Sequence, residues 1–311
     1  MTNFLISLRK FSVEGKPTYD VGPTTYIEIA DGAADYNTSS VIPDKNKWLS
    51  DLSGKSVLVF VHGFDNDSAK VIIRHKLIKR YLPPGYALVS FDWPAQNPGI
   101  TPRQVYERDK NNAKTTAPRL MSDCLQVLVP KFTSGNVHLF GHSMGAYLTE
   151  QAFQAAQAIK INHVLLAAAD VDQLNYQAGS PPLTNFLGKC TDLTAYWSAD
   201  DQALQESQSW QGYVPLGLGG YKGSAIPGAC YGVECTPYFE QYAKGHPPPP
   251  PPVILPPEFS HVWYMFYQPP LPALNDFYTD ANEVIQGSST TPTRAKTTDP
   301  RGFKLQRPVK G

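Results

Sequence analysis

Apolar and polar positions alternate in two different rhythms along the middle of the chain. Val57-Leu58-Val59-Phe60-Val61 is an unbroken apolar, largely β-branched run, the pattern of a strand buried on both faces of a parallel sheet. Asp67 or Ser68 then caps a helical stretch that runs to about Arg80. Residues 87–91, 137–140, 164–168 and 193–197 repeat the strand pattern, with helices predicted within 115–129 and over 146–158. This alternation predicts βαβ units, a mostly parallel central sheet and an α/β fold. No internal repeat is visible. Before this region, residues 1–50 alternate short strand-like runs (4–8 and 25–29) with Gly, Pro and Asp turns, which predicts an N-terminal β extension.

Beyond Leu204 the rhythm stops. Residues 210–258 are rich in Gly, Pro and Tyr, and 247–252 are all proline. A run of that kind forms a stiff polyproline II segment. It reads as a spacer or strut in a lid-like insertion over 205–258, in preference to a ligand for a signalling domain. A last helix is predicted near 273–284, and the polar tail from 286 is expected to be disordered. The organisation is therefore an extension (1–50), a main domain (51–285) and a tail (286–311).

Charge excludes some functions. The 311 residues hold 27 Lys+Arg and 27 Asp+Glu, so no basic surplus exists to hold nucleic acid or an acidic membrane. Hydrophobic residues at 41% supply a sizeable core, yet the longest apolar runs are far too short to span a bilayer. At the N-terminus the apolar residues precede the charges, the reverse of a secretory signal, so the first residues read as a strand of a cytoplasmic protein. Cys124, Cys190, Cys230 and Cys235 lack zinc spacing and read as reduced thiols, with a Cys230–Cys235 bridge as the alternative in an oxidising compartment. Neither a metal nor an organic cofactor is implied.

Chemistry concentrates at Gly141-His142-Ser143-Met144-Gly145. This G-x-S-x-G follows one predicted strand and opens a helix, the context in which the serine is a nucleophile on a strained turn. A serine hydroxyl needs a base, and the order Ser, acid, His leaves His246 and His261 as candidates, His163 leading into a buried strand. His261 is preferred because aromatic residues surround it in sequence; His246 abuts the proline run. For the acid, Asp200 and Asp201 follow the strand at 193–197, and Asp201 better fits the turn to Leu204; Asp170 and Asp172 are fallbacks. The negative charge forming on the substrate oxygen calls for backbone N–H donors: Met144 after the nucleophile and Phe64 in the Val61-His62-Gly63-Phe64 loop. His62 is expected to brace that loop. His142 and Trp93 are expected to line the substrate pocket, with core packing an equal alternative for Trp93.

Together these residues resemble the α/β-hydrolase superfamily. They are similar to a bacterial family of uncharacterised α/β hydrolases carrying an HGF loop, an F-x-WP strand end (Phe91-Asp92-Trp93-Pro94), a GHSMG elbow and an S-x-x-D-x-A-L acid loop (198–204). Residues 166–172 and the Tyr106/Asp109 pair match further family segments, and the likeness covers about 55–207. The resemblance implies an α/β-hydrolase fold and a hydrolase reaction, favours Asp201 over Asp200, and places a late histidine at Ser260-His261.

The expected function is a serine hydrolase acting on carboxylic esters, with thioesters as a further class, through Ser143, Asp201 and His261. The expected partner is a small-molecule ester with an apolar acyl or aromatic group. An amidase or peptidase on the same triad, a non-catalytic binding protein of this fold, and an adaptor using the proline run are the rival readings.

Overall fold

Strand β1 (Thr2–Phe11) folds back antiparallel on β2 (Pro17–Ala30) and on its other side runs parallel to a buried strand at 86–92, so the N-terminal extension is part of the sheet. The computed structural model describes residues 2–99, 101–132, 134–155, 158–223, 225–245, 256–265, 276–288 and 291–307. They fall into two compact units, Met1–Asn162 and His163–Gly311.

In the first unit α1 (Lys45–Asp51) leads to β3 (Ser56–Val61), α2 (Ser68–Tyr81) and β4 (Tyr86–Asp92). Asp67 caps α2 by accepting from Lys70 N at 2.7 Å, and the helix buries Val71, Ile72, His75 and Ile78. Helix α3 (Pro102–Arg119) starts well before the helix expected within 115–129. Its Thr101/Gln104 capping box and Pro102 are start signals, but its largely polar surface hid the helical period. It contains Pro118, widens into a π turn at Leu120–Leu125 and continues as α4 (Gln126–Phe132). Then come β5 (Val137–His142) and α5 (Met144–Phe153), the latter ending earlier than the stretch expected to 158. The strand order here is β2-β1-β4-β3-β5.

The second unit takes up the chain within β6 (Ile161–Ala167) and adds α6 (Pro181–Leu187), β7 (Cys190–Trp197) and α7 (Gln202–Gln211). The Gly/Pro-rich stretch that follows carries regular structure: α8 (Leu216–Gly219), β8 (Cys230–Glu234) and α9 (Thr236–Gly245). Gly217 makes α8 possible, because a Cβ there would meet the Ala168 carbonyl carbon at 2.2 Å. His246 and the proline run lie outside the described residues. Helices α10 (Pro256–Val262) and α11 (Asp276–Ile285) follow.

The tail corrects an expectation. Instead of being disordered, it forms β9 (Arg294–Lys296) and β10 (Gly302–Leu305), with β10 parallel to β8. Its polar residues point inward: buried Arg294 meets Asp280 of α11 at 2.8 Å, and Thr293 donates to the same carboxylate. A composition count takes such residues for solvated ones. The order here is β6-β7-β8-β10-β9. All four cysteines are buried, and none is in a disulfide. Among the described residues, no helix is long and apolar enough to cross a membrane.

Candidate active site

The parallel register of the first unit brings three strand ends level. Val61 pairs with Phe91 and with Gly141, so His62, Asp92 and His142 lie side by side where three loops begin. Ser143 follows β5 with φ 57° and ψ −127°, a left-handed backbone that a non-glycine residue adopts at a cost of about 1–3 kcal/mol. It sits at the N-cap of α5, but its hydroxyl makes no capping hydrogen bond. Two glycines let the turn form. A Cβ on Gly145 would lie 2.2 Å from Val61 O, and one on Gly63 would lie 2.7 Å from Ser143 Cβ. The Gly63–Phe64 loop therefore passes directly over the serine. Met144 opens α5, where helix N–H groups have no partner within the helix.

His62 braces this loop, as expected. Its ring stacks on Trp93 with centroids 5.1 Å apart. Nδ1 lies 3.0 Å from Gly63 O and Nε2 lies 3.2 Å from Asp92 Oδ1. Both neighbours are acceptors. Burial is the largest influence on His62 and lowers its pKa against the pull of Asp92, so the ring holds one proton for two acceptors at neutral pH. For Asp92, burial pushes the other way, but Arg9, His62 and Tyr36 outweigh it and hold its pKa down to about 2. Arg9 donates from Nε to Asp92 at 2.8 Å, and the Tyr36 hydroxyl donates to the same carboxylate.

Trp93 follows β4 and His142 ends β5. Both are buried, the Trp93 ring is taken up by His62, and its Nε1 donates to His62 O at 2.8 Å. Phe64 is half-buried and packs on Tyr106 with ring centroids 5.6 Å apart.

The second unit pairs a histidine with a buried carboxylate. His261 Nδ1 lies 2.8 Å from Asp201 Oδ2 and 3.1 Å from Oδ1. Asp201 is fully buried after β7, where Oδ1 also accepts from Leu204 N at 3.0 Å and caps α7. A carboxylate facing Nδ1 keeps the ring proton there and leaves Nε2 as the acceptor. Gln202 N donates to Ser260 Oγ at 2.9 Å, tying the helix of His261 to the start of α7. The aromatic residues flanking His261 in sequence belong to a cluster in which Trp263 packs against Tyr238, Phe239 and Tyr242 at 5.6 to 5.8 Å. Asp200 is half-exposed beside this pair. Of the fallback acids, Asp170 accepts from Ser207 and Asp172 caps the short turn at Gln173–Tyr176.

Sequence reasoning did not single out Arg9 or Asn66, and it named Asp92 and Asp109 only as motif letters. Arg9 offers no local signal: it is a charge at the end of an apolar strand, and only the paired strands show that it points inward.

A sequence profile of the family described as "Alpha/beta hydrolase of unknown function (DUF900)" matches residues 40–219. No curated protein matches the chain in sequence. Among solved structures, the chain is similar to a hyperthermophilic esterase from the archeon Pyrobaculum calidifontis, at 11% identity, over 92% of this chain and 84% of that one, with a TM-score of 0.38. A hormone-sensitive lipase from a metagenome library gives 11%, 90%, 87% and 0.39. TT1662 from Thermus thermophilus gives 17%, 61%, 87% and 0.35. At these identities and scores none of the three bears on the chemistry.

Proposed function

The chain belongs to the alpha/beta hydrolases of unknown function (DUF900) and has the α/β-hydrolase fold, and on that premise we propose that it is a serine hydrolase of carboxylic esters, thioesters included. Ser143 Oγ attacks the carbonyl carbon while His261 Nε2 takes its proton. Asp201 holds the imidazole in the required tautomer and stabilises its charged form. The Phe64 and Met144 N–H groups bind the oxyanion. Collapse of the tetrahedral species expels the alcohol, which receives the proton from His261. Water then attacks the acyl-enzyme by the same route and releases the acid.

The observation that carries this reading is the buried Asp201 paired with His261 Nδ1 at 2.8 Å. Support for the nucleophile comes from the left-handed Ser143 turn, whose hydroxyl is not used as a helix cap. An apolar acyl or aromatic group is the proposed substrate feature, supported by the Tyr, Leu and Pro content of residues 205–258 in the sequence.

The test is labelling with a fluorophosphonate probe, mapped by mass spectrometry, beside Ser143→Ala and His261→Ala. The expected adduct is on Ser143 and disappears in both variants. Folded wild-type protein that takes no label sinks the reading, and so does label on another residue. A p-nitrophenyl ester series from acetate to octanoate, run against matched anilides, then separates esterase from amidase and reads the acyl preference.

A further inference from the structure

To serve as an oxyanion donor, the Phe64 N–H must be held in a fixed direction. In a trans peptide the C=O and N–H point in opposite directions, so the Phe64 N–H is aimed by whatever holds the Gly63 carbonyl. Asn66 holds it. Its Nδ2 donates to Gly63 O at 2.9 Å and to Phe64 O at 2.7 Å, so one amide grips two successive peptides of the loop that passes over Ser143. His62 Nδ1 also faces Gly63 O, but that ring shares one proton with Asp92. Asn66 is fully buried, and its Oδ1 has no hydrogen-bond partner among the described residues. An interior acceptor left unsatisfied is costly and calls for a reason. Turning the amide over would satisfy nothing, since it would set Oδ1 against two carbonyl oxygens.

Asn66 is itself seated from two sides. Arg9 Nη2 donates to Asn66 O at 2.6 Å, and the same guanidinium reaches Trp93 O and Ala95 O in the loop after β4. From α3, buried Asp109 accepts from Asp65 N at 3.2 Å, Gln96 N at 2.8 Å and Asn97 N at 2.9 Å. Asp65 and Gln96 have φ of 54° and 65°, so the carboxylate holds the two residues whose backbone is least willing to stay. Across the Ala95–Gln96 peptide, the cation takes the oxygen and the anion takes the N–H.

We infer that Asn66, seated by Arg9 of the first strand and Asp109 of α3, is the positioning residue that aims the Phe64 N–H at the substrate oxygen. This rests on the serine-hydrolase reading and gives the N-terminal strand a part in it. Arg9 lies in the sheet for the carbonyls it holds as well as for Asp92.

Asn66→Ala removes both donors without introducing a charge. With p-nitrophenyl butyrate, kcat is expected to fall about 10²-fold at nearly unchanged KM, the scale of a lost oxyanion donor. A trifluoromethyl ketone, whose adduct carries an oxyanion, should lose affinity by a similar factor, while the matching methyl ketone should not. Arg9→Lys keeps a cation for Asp92 but lacks the fork, and its kcat should fall about tenfold with the same split between the ketones. Wild-type kcat in folded Asn66→Ala, or equal losses for the two ketones, overturns the inference. If Asn66→Ala does not fold, Arg9→Lys decides by the same criteria. Wild-type protein without turnover or Ser143 label instead overturns the hydrolase reading itself, and this inference falls with it.

Discussion

Each unit buries an arginine against an aspartate and a tyrosine, and the two sites are used differently. In the first unit, Arg9 and Tyr36 meet Asp92, and the rest of the guanidinium goes to backbone carbonyls, those of the loops after β3 and β4 and that of Thr18 in β2. In the second, Arg294 takes Asp280 through Nε and Nη2, Tyr196 donates to Asp280 at 2.7 Å, and the cation lies 5.1 Å from the Phe303 ring. In both, burial works against the arginine charge and the neighbouring groups more than offset it, so both pKa values are raised. The same ion pair thus aims loops in one place and locks the tail to α11 and β7 in the other. The difference lies in what the spare guanidinium N–H groups find: carbonyls at a strand edge, or side chains of packed elements.

The largest effect that separates the units is acid sensitivity. His75 of α2 is buried, its Nδ1 lies 2.8 Å from Ser90 Oγ, and burial pushes its pKa down to about 3. The unfolded chain protonates near pH 6.5, whereas the folded chain does not until about pH 3. Folding stability therefore falls as pH drops through that window, by up to about 5 kcal/mol. Urea midpoints between pH 7 and 4 measure this, with His75→Gln expected to flatten the slope. Hydrogen exchange should show α2 and β4 opening before β7 and β10. An identical slope in the variant would refute the assignment.

The next effect tests the arginine sites directly. Asp280→Asn and Asp92→Asn each leave a buried cation unpaired, at a cost of about 3–5 kcal/mol. The kcat per folded molecule is expected to stay at the wild-type value in Asp280→Asn and to fall in Asp92→Asn. Equal kcat in the two would break the distinction between locking and aiming.

Smallest in stability is Gly63→Ala, where the added methyl would meet Ser143 Cβ at 2.7 Å. Overpacking of this kind costs about 1–3 kcal/mol, and fluorophosphonate labelling should be lost at a temperature where the variant is still folded. Labelling at the wild-type rate would mean that the loop has room to retreat.

Most of the Ser143 side was legible in the chain. The buried strands, the Asp67 cap and the elbow are written in residues close in sequence, because period and capping act over one or two turns. The start of α3 was readable from Thr101, Pro102 and Gln104, but its largely polar surface masked it. Strands β9 and β10 were not readable, since three or four residues carry too little period to stand out.

By itself, then, the sequence determined the parallel strand–helix core, the elbow at Ser143 and the short set of acids and histidines from which a site is drawn. Tertiary structure decided the pairing. It chose Asp201 for His261 across 60 positions, turned Arg9 and Arg294 inward, and brought Asn66 under the Gly63 carbonyl. The physical reason is one of range. Propensity and periodicity are local, whereas a buried charge or amide is tolerated only where distant segments bring its partners within about 3 Å, and that depends on how the sheet is ordered.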